Sequence, residues 1–245
     1  MELSLNDTKS LESENINYSI DLLQRDENDR IHIVTELIDI KREYSIQDCT
    51  VLEVGCGFGN NLKVFDRDNI TIGVEGLPSA VAEARARGSN VQKGNLEDPL
   101  ELESESVDWV LCLDVLEHLV NSWGLLIEMR RVLRNGGKAI INVPNHFTLS
   151  GRIRLLFGHN LDVCGFFPGS HDWDNPHLRF FTYRGICEMA RASGFKIVEN
   201  RSEHSPAFPR LTILQKLGLD WAVERCARLR PSLFAAGFFL ILEKS

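Results

Sequence analysis

The chain of 245 residues has an ordinary globular composition, with 43% hydrophobic and 25% charged residues, and can therefore bury a sizeable core. Its net charge of -8 disfavours binding to nucleic-acid phosphates or to an anionic membrane surface, and favours a small or neutral ligand. The six cysteines are widely spaced and include no C-x-x-C pair, so we expect reduced thiols and a cytoplasmic protein.

The N-terminal part of the chain divides into two predicted segments. Residues 1–17 are polar and acidic, which predicts a disordered tail rather than a signal peptide. Residues 18–45 carry apolar side chains at helical spacings and predict an amphipathic helical cap. The longest apolar stretch, AAGFFLIL, lies near the C-terminus and is too short to cross a bilayer, so we expect no membrane insertion.

Strands and helices alternate along the middle of the chain. Apolar runs predict strands at 50–54, 70–74, 91–93, 107–113 and 138–143, with helices at 79–87 and 122–133. This alternation is typical of βαβ units. Two further strands at 195–200 and 237–243 complete the pattern. We predict one α/β domain over residues 18–245: a doubly wound, mostly parallel seven-stranded sheet with an antiparallel edge hairpin.

The strongest functional signal is the loop that follows the first predicted strand. Glycines at three alternate positions let the backbone turn sharply and approach a ligand. The spacing is E-x-G-x-G-x-G, whereas a nicotinamide dinucleotide site has G-x-G-x-x-G. Glu53 would repel a pyrophosphate and suits a cofactor with an amino group and a sulfonium, so charge favours S-adenosylmethionine. We assign cofactor contacts to Glu53, Gly55, Cys56, Gly57, Gly59 and Asn60.

With this loop the chain resembles class I S-adenosylmethionine-dependent methyltransferases of the type 11 group, over roughly residues 45 to 200. The resemblance implies that Glu75, with Gly76 after it, binds both ribose hydroxyls. It also implies adenine binding at Asn95 and Leu96. Asn95 stands where the family usually has an aspartate, and its amide oxygen can accept the same hydrogen bond. A plain turn role for Asn95 remains the alternative.

The segment after the fourth strand is similar to the family's D-V-L-E-H sequence, which implies cofactor contacts from Leu113, Asp114 and His118. A helical turn starting near Asp114 would place it on one side with Glu117 and His118. Related methyltransferases sometimes hold a divalent metal with such a cluster and a further histidine, for which His146 is placed. Because mixed carboxylate and imidazole ligands suit Mn²⁺ or Mg²⁺ poorly, we assign no metal.

Residues 145–180 break the alternation and predict an insertion over the active face, loosely similar to MetW-type proteins. His177 and Arg179 alternate along an extended segment, so both can face the cleft. We assign His177 and His146 as catalytic proton acceptors, and Arg179 and Trp173 to substrate binding. The alternative is that Arg179 pairs with a core carboxylate and that His177 caps the following helix.

Together these features predict a methyltransferase that converts S-adenosylmethionine to S-adenosylhomocysteine and O-methylates a small metabolite, sugar or lipid-like acceptor. The alternative is a MetW-like non-catalytic partner or activator of another biosynthetic enzyme. As partners we expect a small-molecule methyl acceptor and, as a candidate, a second copy of the chain in a homodimer. We expect no nucleic-acid partner.

Overall fold

A computed structural model describes residues 31–159, 177–202, 207 and 218–245. Three predicted features lie outside these residues: the tail at 1–17, the first part of the helical cap, and the part of the insertion that contains Trp173. Within the described residues, no helix is both long and apolar enough to cross a membrane. The five cysteines they include are all free thiols.

Seven strands form a single sheet. They are β1 (Thr50–Val54), β2 (Ile70–Glu75), β3 (Val91–Lys93), β4 (Val107–Leu113), β5 (Leu133–Pro144), β6 (Phe195–Asn200) and β7 (Gly237–Lys244). Their order is β3-β2-β1-β4-β5-β7-β6. The first five strands are parallel, and β7 runs antiparallel to both β5 and β6. The predicted fold class, including the antiparallel edge hairpin, is confirmed.

The helices of the described residues connect and flank these strands. They are α1 (Ile31–Glu43), α2 (Pro78–Ala86), α3 (Ser122–Val132), α4 (Leu149–Leu156), α5 (Tyr183–Ala192), α6 (Asp220–Leu229) and α7 (Pro231–Phe234). Three of them begin at a capping side chain that accepts a hydrogen bond from the backbone three residues on, which fixes the start of the helix. The capping residues are Asn121, Thr148 and Thr182.

The core lies on both faces of the sheet because successive strand residues point to opposite sides. On one face, Leu37 and Ile40 of α1 pack in a cluster with Leu111 of β4. On the other face, Leu126 and Met129 of α3 belong to a cluster with alternate residues of the same strand. Helices on both faces are what a doubly wound sheet requires.

β5 is longer than the sequence predicts. It begins at Leu133, which pairs with Val107, and the next pair is Lys138 with Trp109. The residues between Leu133 and Lys138 therefore form a bulge, in which Gly136 has a φ of 75°. The turn predicted at residues 135–137 is therefore this bulge within β5, and it does not precede the strand.

Candidate active site

The topology places the candidate site at the carboxyl ends of β1, β2 and β4. The chain leaves β1 toward β2 and β3 and then crosses to β4 on the other side of β1. In open α/β sheets the crevice at such a change of direction is where ligands bind. The glycine loop follows β1, so it lies at this crevice.

The glycine loop has the backbone that its sequence predicts. Gly55, Gly57 and Gly59 have φ angles of 69°, 52° and 77°, in the left-handed region that favours glycine. A Cβ on Gly55 would lie 2.5 Å from Cγ2 of Val115, just beyond β4. The loop therefore fits tightly against the residues that follow β4, and only glycine allows this approach.

Glu75, at the end of β2, is turned toward the glycine loop. Its Oε2 accepts a hydrogen bond from the backbone N–H of Gly57 at 2.9 Å, and its Oε1 accepts one from Leu77 at 2.8 Å. Each carboxylate oxygen has two lone pairs, so both oxygens retain the capacity to accept a ligand hydroxyl. The next residue, Gly76, faces β3, because a Cβ there would lie 3.5 Å from the carbonyl oxygen of Gly94.

Glu53 is almost fully buried, at 1% exposure, and its Oε1 accepts a hydrogen bond from Nδ2 of Asn61 at 2.7 Å. The sequence pattern indicates Asn60 and misses Asn61, because two adjacent asparagines give no signal of which one points inward. Asn60 instead lies near α2, with its Oδ1 3.4 Å from Nη1 of Arg87.

Acidic side chains converge at this end of the sheet. Burial raises the pKa of the Cys112 thiol, and the negative charges of Glu117, Asp114 and Glu53 raise it further. Burial also raises the pKa of Cys56, with further contributions from Glu53 and Glu75. The crevice therefore has a negative potential, which suits a cationic ligand.

Asp114 corrects one expectation. A helical turn that started near Asp114 would place it beside Glu117 and His118, but its φ of 55° lies in the left-handed region and the 3₁₀ turn spans Leu116–His118. Its Oδ1 accepts a hydrogen bond from Nδ2 of Asn142 on β5 at 2.6 Å. Asp114 is thus held by the neighbouring strand and does not share a helix face with Glu117 and His118. Asn142 is a second site residue that the sequence pattern misses.

The predicted adenine residues lie beyond β3. Oδ1 of Asn95 accepts a hydrogen bond from the N–H of Glu97 at 3.1 Å, and its Nδ2 donates to Asp98 at 3.0 Å. Asn95 therefore forms a turn, and its binding to adenine stays a prediction. Leu96 is better placed, since its Cδ1 would lie 3.6 Å from a Cβ on Gly55.

Two other predicted contacts point into the protein. The side chain of Cys56 packs against Gly73, where a Cβ would meet its sulfur at 2.5 Å. The side chain of Leu113 is buried in the core cluster with Leu37 and Ile40 of α1. At these two positions a ligand can therefore contact the backbone and not the side chain.

An imidazole cluster lies next to these carboxylates. Nε2 of His146 is 2.8 Å from Nδ1 of His177, and the ring centroids of His177 and His118 are 4.9 Å apart. His146 is buried, and its ring packs against Phe180 with the centroids 4.8 Å apart. The two histidines predicted as proton acceptors are therefore in direct contact.

Arg179 supports the backbone near this cluster. Its guanidinium donates to the carbonyl oxygens of Leu119 and Val120. The sequence left open an ion pair between Arg179 and a core carboxylate, whereas these contacts are hydrogen bonds to backbone carbonyl oxygens. Binding of substrate by Arg179 stays a prediction, as does the role of Trp173.

The residues at the crevice fit S-adenosylmethionine. The three left-handed glycines give the loop the sharp turn that brings backbone close to a ligand at the end of β1. The Glu75 carboxylate faces the loop where ribose hydroxyls would donate to it. The buried carboxylate of Glu53 and the nearby Asp114 match a cofactor that carries an amino group and a sulfonium.

Comparison with known proteins agrees with this geometry. Residues 52–141 match the family model described as "Methyltransferase domain". The chain is 32% identical over 151 residues to a "probable S-adenosylmethionine-dependent methyltransferase" of Mycolicibacterium smegmatis, covering 60% of this chain and 52% of that protein. It is 23% identical over 182 residues to the ubiquinone biosynthesis O-methyltransferase of Aeromonas salmonicida, covering 71% and 74%.

The fold also matches a solved structure from Thermotoga maritima, titled as a SAM-dependent methyltransferase and "possible histamine N-methyltransferase". The TM-score is 0.58 at 19% identity, over 92% of this chain and 99% of the other. The chain spans about half of the Mycolicibacterium relative, so these matches identify the domain. By its sheet order, its glycine loop and its match over residues 52–141, the chain carries a methyltransferase domain of the type 11 group, with the fold of the class I S-adenosylmethionine-dependent methyltransferases.

Proposed function

We propose that the chain transfers a methyl group from S-adenosylmethionine to an oxygen atom of a small acceptor. The observation that carries this proposal is the position of the imidazole cluster. His118 lies three residues beyond Val115, which touches the glycine loop, and His146 follows β5, the strand next to β4. Groups that can take a proton are thus placed beside the cofactor crevice.

Bound S-adenosylmethionine supplies an electrophilic methyl group. The chain has to orient the acceptor in line with that methyl group and keep water away. Glu75 orients the ribose, while Glu53 and Asp114 provide the negative environment. His177, in contact with His146, accepts the hydroxyl proton of the acceptor, because imidazole is the side chain that titrates nearest neutral pH.

The names of the relatives support methyl transfer and leave the acceptor atom to experiment. The Aeromonas relative is named as an O-methyltransferase, and the Thermotoga structure is titled as a possible N-methyltransferase. Oxygen is favoured here because a neutral hydroxyl needs a base in order to react, and this cluster supplies one.

A screen of methyl acceptors with labelled cofactor, followed by mass analysis of the product, tests the proposal. We expect His177→Gln to lower kcat by about 10²- to 10⁴-fold while S-adenosylhomocysteine binds as before. His159→Gln, which changes an exposed histidine, is the matched control and should keep full turnover. Full turnover in the His177 variant would show that this histidine is structural.

Glu75→Gln tests the cofactor half of the proposal. The variant keeps one acceptor oxygen and replaces the other with a donor, so one ribose hydroxyl loses its partner. We expect weaker S-adenosylhomocysteine binding by about 1–3 kcal/mol, or roughly 5- to 150-fold, in calorimetry. Glu101→Gln makes the same charge change at an exposed site and should have no effect. If the wild-type protein shows no binding at millimolar ligand, the methyltransferase activity is ruled out.

A further inference from the structure

Helix α4 exposes its apolar side chains instead of burying them. Ile153, Leu156 and Phe157 lie at i, i+3 and i+4, so they share one side of the helix and its C-terminal end. Leu156 and Phe157 are 84% and 78% exposed, and Ile153 is exposed as well. A surface helix normally turns such a stripe toward the core. The buried residue of α4 is Gly151, so these three side chains, the α4 face, point to the outside.

The α4 face lies in a positively charged part of an acidic chain. The chain has 35 acidic residues, yet none of them lies at positions 129–161. Within this stretch, α4 contributes Arg152 and Arg154. The guanidinium of Arg152 donates to the carbonyl oxygens of Phe147 and Ser232, which carry no charge to neutralise it. Among the described residues neither guanidinium has a carboxylate partner, so α4 keeps both positive charges.

Helix α4 is joined directly to the proposed catalytic histidines. Its capping residue Thr148 comes two residues after His146, whose Nε2 lies 2.8 Å from Nδ1 of His177. A Cβ on Gly151 would lie 2.8 Å from the carbonyl oxygen of His146, so the first turn of the helix packs on the backbone of that histidine. The α4 face therefore belongs to the acceptor side of the crevice.

A second group of exposed apolar residues borders the same histidines. Leu178 follows His177 directly, and the guanidinium of Arg179 donates to the carbonyl oxygen of Val120. Leu178 and Val120 are both exposed, as is Trp123 in the first turn of α3. Outward-facing apolar side chains from separate segments of the chain therefore border the proposed catalytic histidines.

An apolar stripe accompanied by arginines is typical of a helix that lies in the plane of a membrane surface. A small acceptor at the histidines does not explain the stripe, because the α4 face points away from the protein. A second copy of the chain explains it poorly, because a symmetric interface through α4 would bring the arginines of both copies together. The net charge of -8 does not prevent this contact. At physiological ionic strength, charges more than about 8 Å from the membrane are largely screened, whereas arginines at its surface attract anionic lipids.

We propose that the chain docks on an anionic phospholipid surface through the α4 face, with the two arginines of α4 at the lipid headgroups. Resting on the proposed function, we further propose that the methyl acceptor is a membrane lipid with a free hydroxyl group. His177 takes the hydroxyl proton while the oxygen bonds to the methyl carbon and the carbon–sulfur bond breaks, so the sulfur leaves as a neutral thioether. This contact is peripheral and needs no helix that crosses the bilayer. The expectation from net charge describes the chain as a whole and not this face.

Docking is tested by sedimentation of the full-length chain with vesicles of different charge. We expect binding to vesicles of phosphatidylcholine and phosphatidylglycerol, weaker binding at high salt, and much weaker binding to phosphatidylcholine alone. Phe157→Glu should lower the affinity at least about 10-fold, because an apolar side chain is lost from the membrane interface. Arg154→Gln should lower the affinity about 5-fold, because one attraction to the anionic headgroups is lost.

The matched controls lie at the opposite end of the sheet. Ile70 is an exposed apolar residue at the amino end of β2, and Arg67 is an exposed arginine just before that strand. Ile70→Glu and Arg67→Gln make the same chemical changes there and should bind the vesicles as the wild type does. Circular dichroism checks that all four variants are folded.

Two results would overturn the docking surface: a wild-type chain that binds no vesicles, or equal vesicle affinity in the wild type and in Phe157→Glu. A dimer that Phe157→Glu dissociates, in a chain that binds no vesicles, would assign the α4 face to a second copy and overturn the proposal as well.

The acceptor screen separates docking from the proposed function. We expect lipids with a free hydroxyl group, presented in the mixed vesicles, to be methylated by the wild type and at least about 10-fold more slowly by Phe157→Glu. If the chain binds vesicles but neither binds S-adenosylhomocysteine nor methylates any acceptor, the docking surface stands and the proposed function fails. If a water-soluble acceptor is methylated at a rate that Phe157→Glu does not change, the lipid acceptor is excluded.

Discussion

Gly55 is constrained in two ways that substitutions can separate. Its φ of 69° is costly for any residue with a side chain, and a Cβ there would lie 2.5 Å from Val115. Gly88, after α2, has a φ of 87°, but a Cβ there would have no atom within 4 Å. Gly88→Ala should therefore lose only the conformational contribution, about 1–2 kcal/mol of unfolding free energy. Gly55→Ala should lose about 1–3 kcal/mol more, because of overpacking.

Urea unfolding of both variants measures this difference, and S-adenosylhomocysteine binding provides a second readout. We expect Gly55→Ala to weaken binding because the displaced loop lies at the crevice, and Gly88→Ala to leave binding unchanged. Equal stability losses in the two variants would mean that Val115 moves aside at no cost, and that the close approach is not what requires glycine.

At the scale of residues, the sequence identifies the carboxylates at strand ends but not the amides that hold them. Glu53 and Glu75 end or nearly end a predicted strand, a position that can be read directly from the chain. Asn142 contacts Asp114 because β4 and β5 are neighbours in a register that pairs Leu113 with Asn142. Strand register depends on the whole sheet, so no local pattern reveals this pair.

At the scale of elements, α1 is fastened to the end of β6 by a buried ion pair. Arg201 donates to Glu36 of α1 at 2.8 Å, and both side chains are at most 7% exposed. Burial by itself lowers the pKa of Arg201, but hydrogen bonds to Glu43, Glu36 and Glu199 raise it above its ordinary value. The guanidinium therefore remains charged and pairs with the buried carboxylate of Glu36.

Arg201→Ala should lower the unfolding free energy by about 3–5 kcal/mol, because the buried carboxylate of Glu36 loses the charge with which it is paired. Arg184→Ala is the matched control. It breaks an exposed pair with Glu188 one helical turn away, which solvent screens, so the unfolding free energy should change far less than in Arg201→Ala. The midpoints of urea unfolding measure both changes. In Arg201→Met with Glu36→Leu, much of the loss should be recovered; a double variant as unstable as Arg201→Ala would contradict the buried-charge explanation.

The elements are predictable where local pattern and sheet position agree. β1 and β3 have the predicted bounds because each pairs with its neighbours in an unbroken register. The start of β5 is not predictable, because Leu133 joins the strand through a pairing with Val107 across a glycine-containing bulge. Gly136 and Gly137 predict a turn from the local sequence. They form a bulge instead because the residues on both sides of them pair with β4.

At the scale of the whole molecule, the alternation of strands and helices is enough to predict the sheet class, because parallel strands need crossover helices. The composition of the histidine cluster is not predictable in the same way. His146 and His177 are 31 residues apart, and they meet because the segment at 177–179 hydrogen-bonds along the turn after β4. The sequence pattern places Asp114 in this cluster, whereas the fold holds Asp114 on Asn142 and supplies His177 instead.

Because the crevice is built from three strands and the loops between them, a ligand that binds only the folded chain should stabilise the whole domain. S-adenosylhomocysteine at 100 times its Kd should add about 2.7 kcal/mol to the unfolding free energy. For a chain of this size each kcal/mol raises Tm by about 2–4 °C, so the expected shift is about 5–11 °C.

NADH should give no shift, because Glu53 and the E-x-G-x-G-x-G spacing disfavour a pyrophosphate. At the same ligand concentration Glu75→Gln should show a smaller shift than the wild type, because the stabilisation falls with the logarithm of the lost affinity. A shift with NADH that matched the one with S-adenosylhomocysteine would mean that the crevice recognises adenosine alone, and that its negative charge does not select the cofactor.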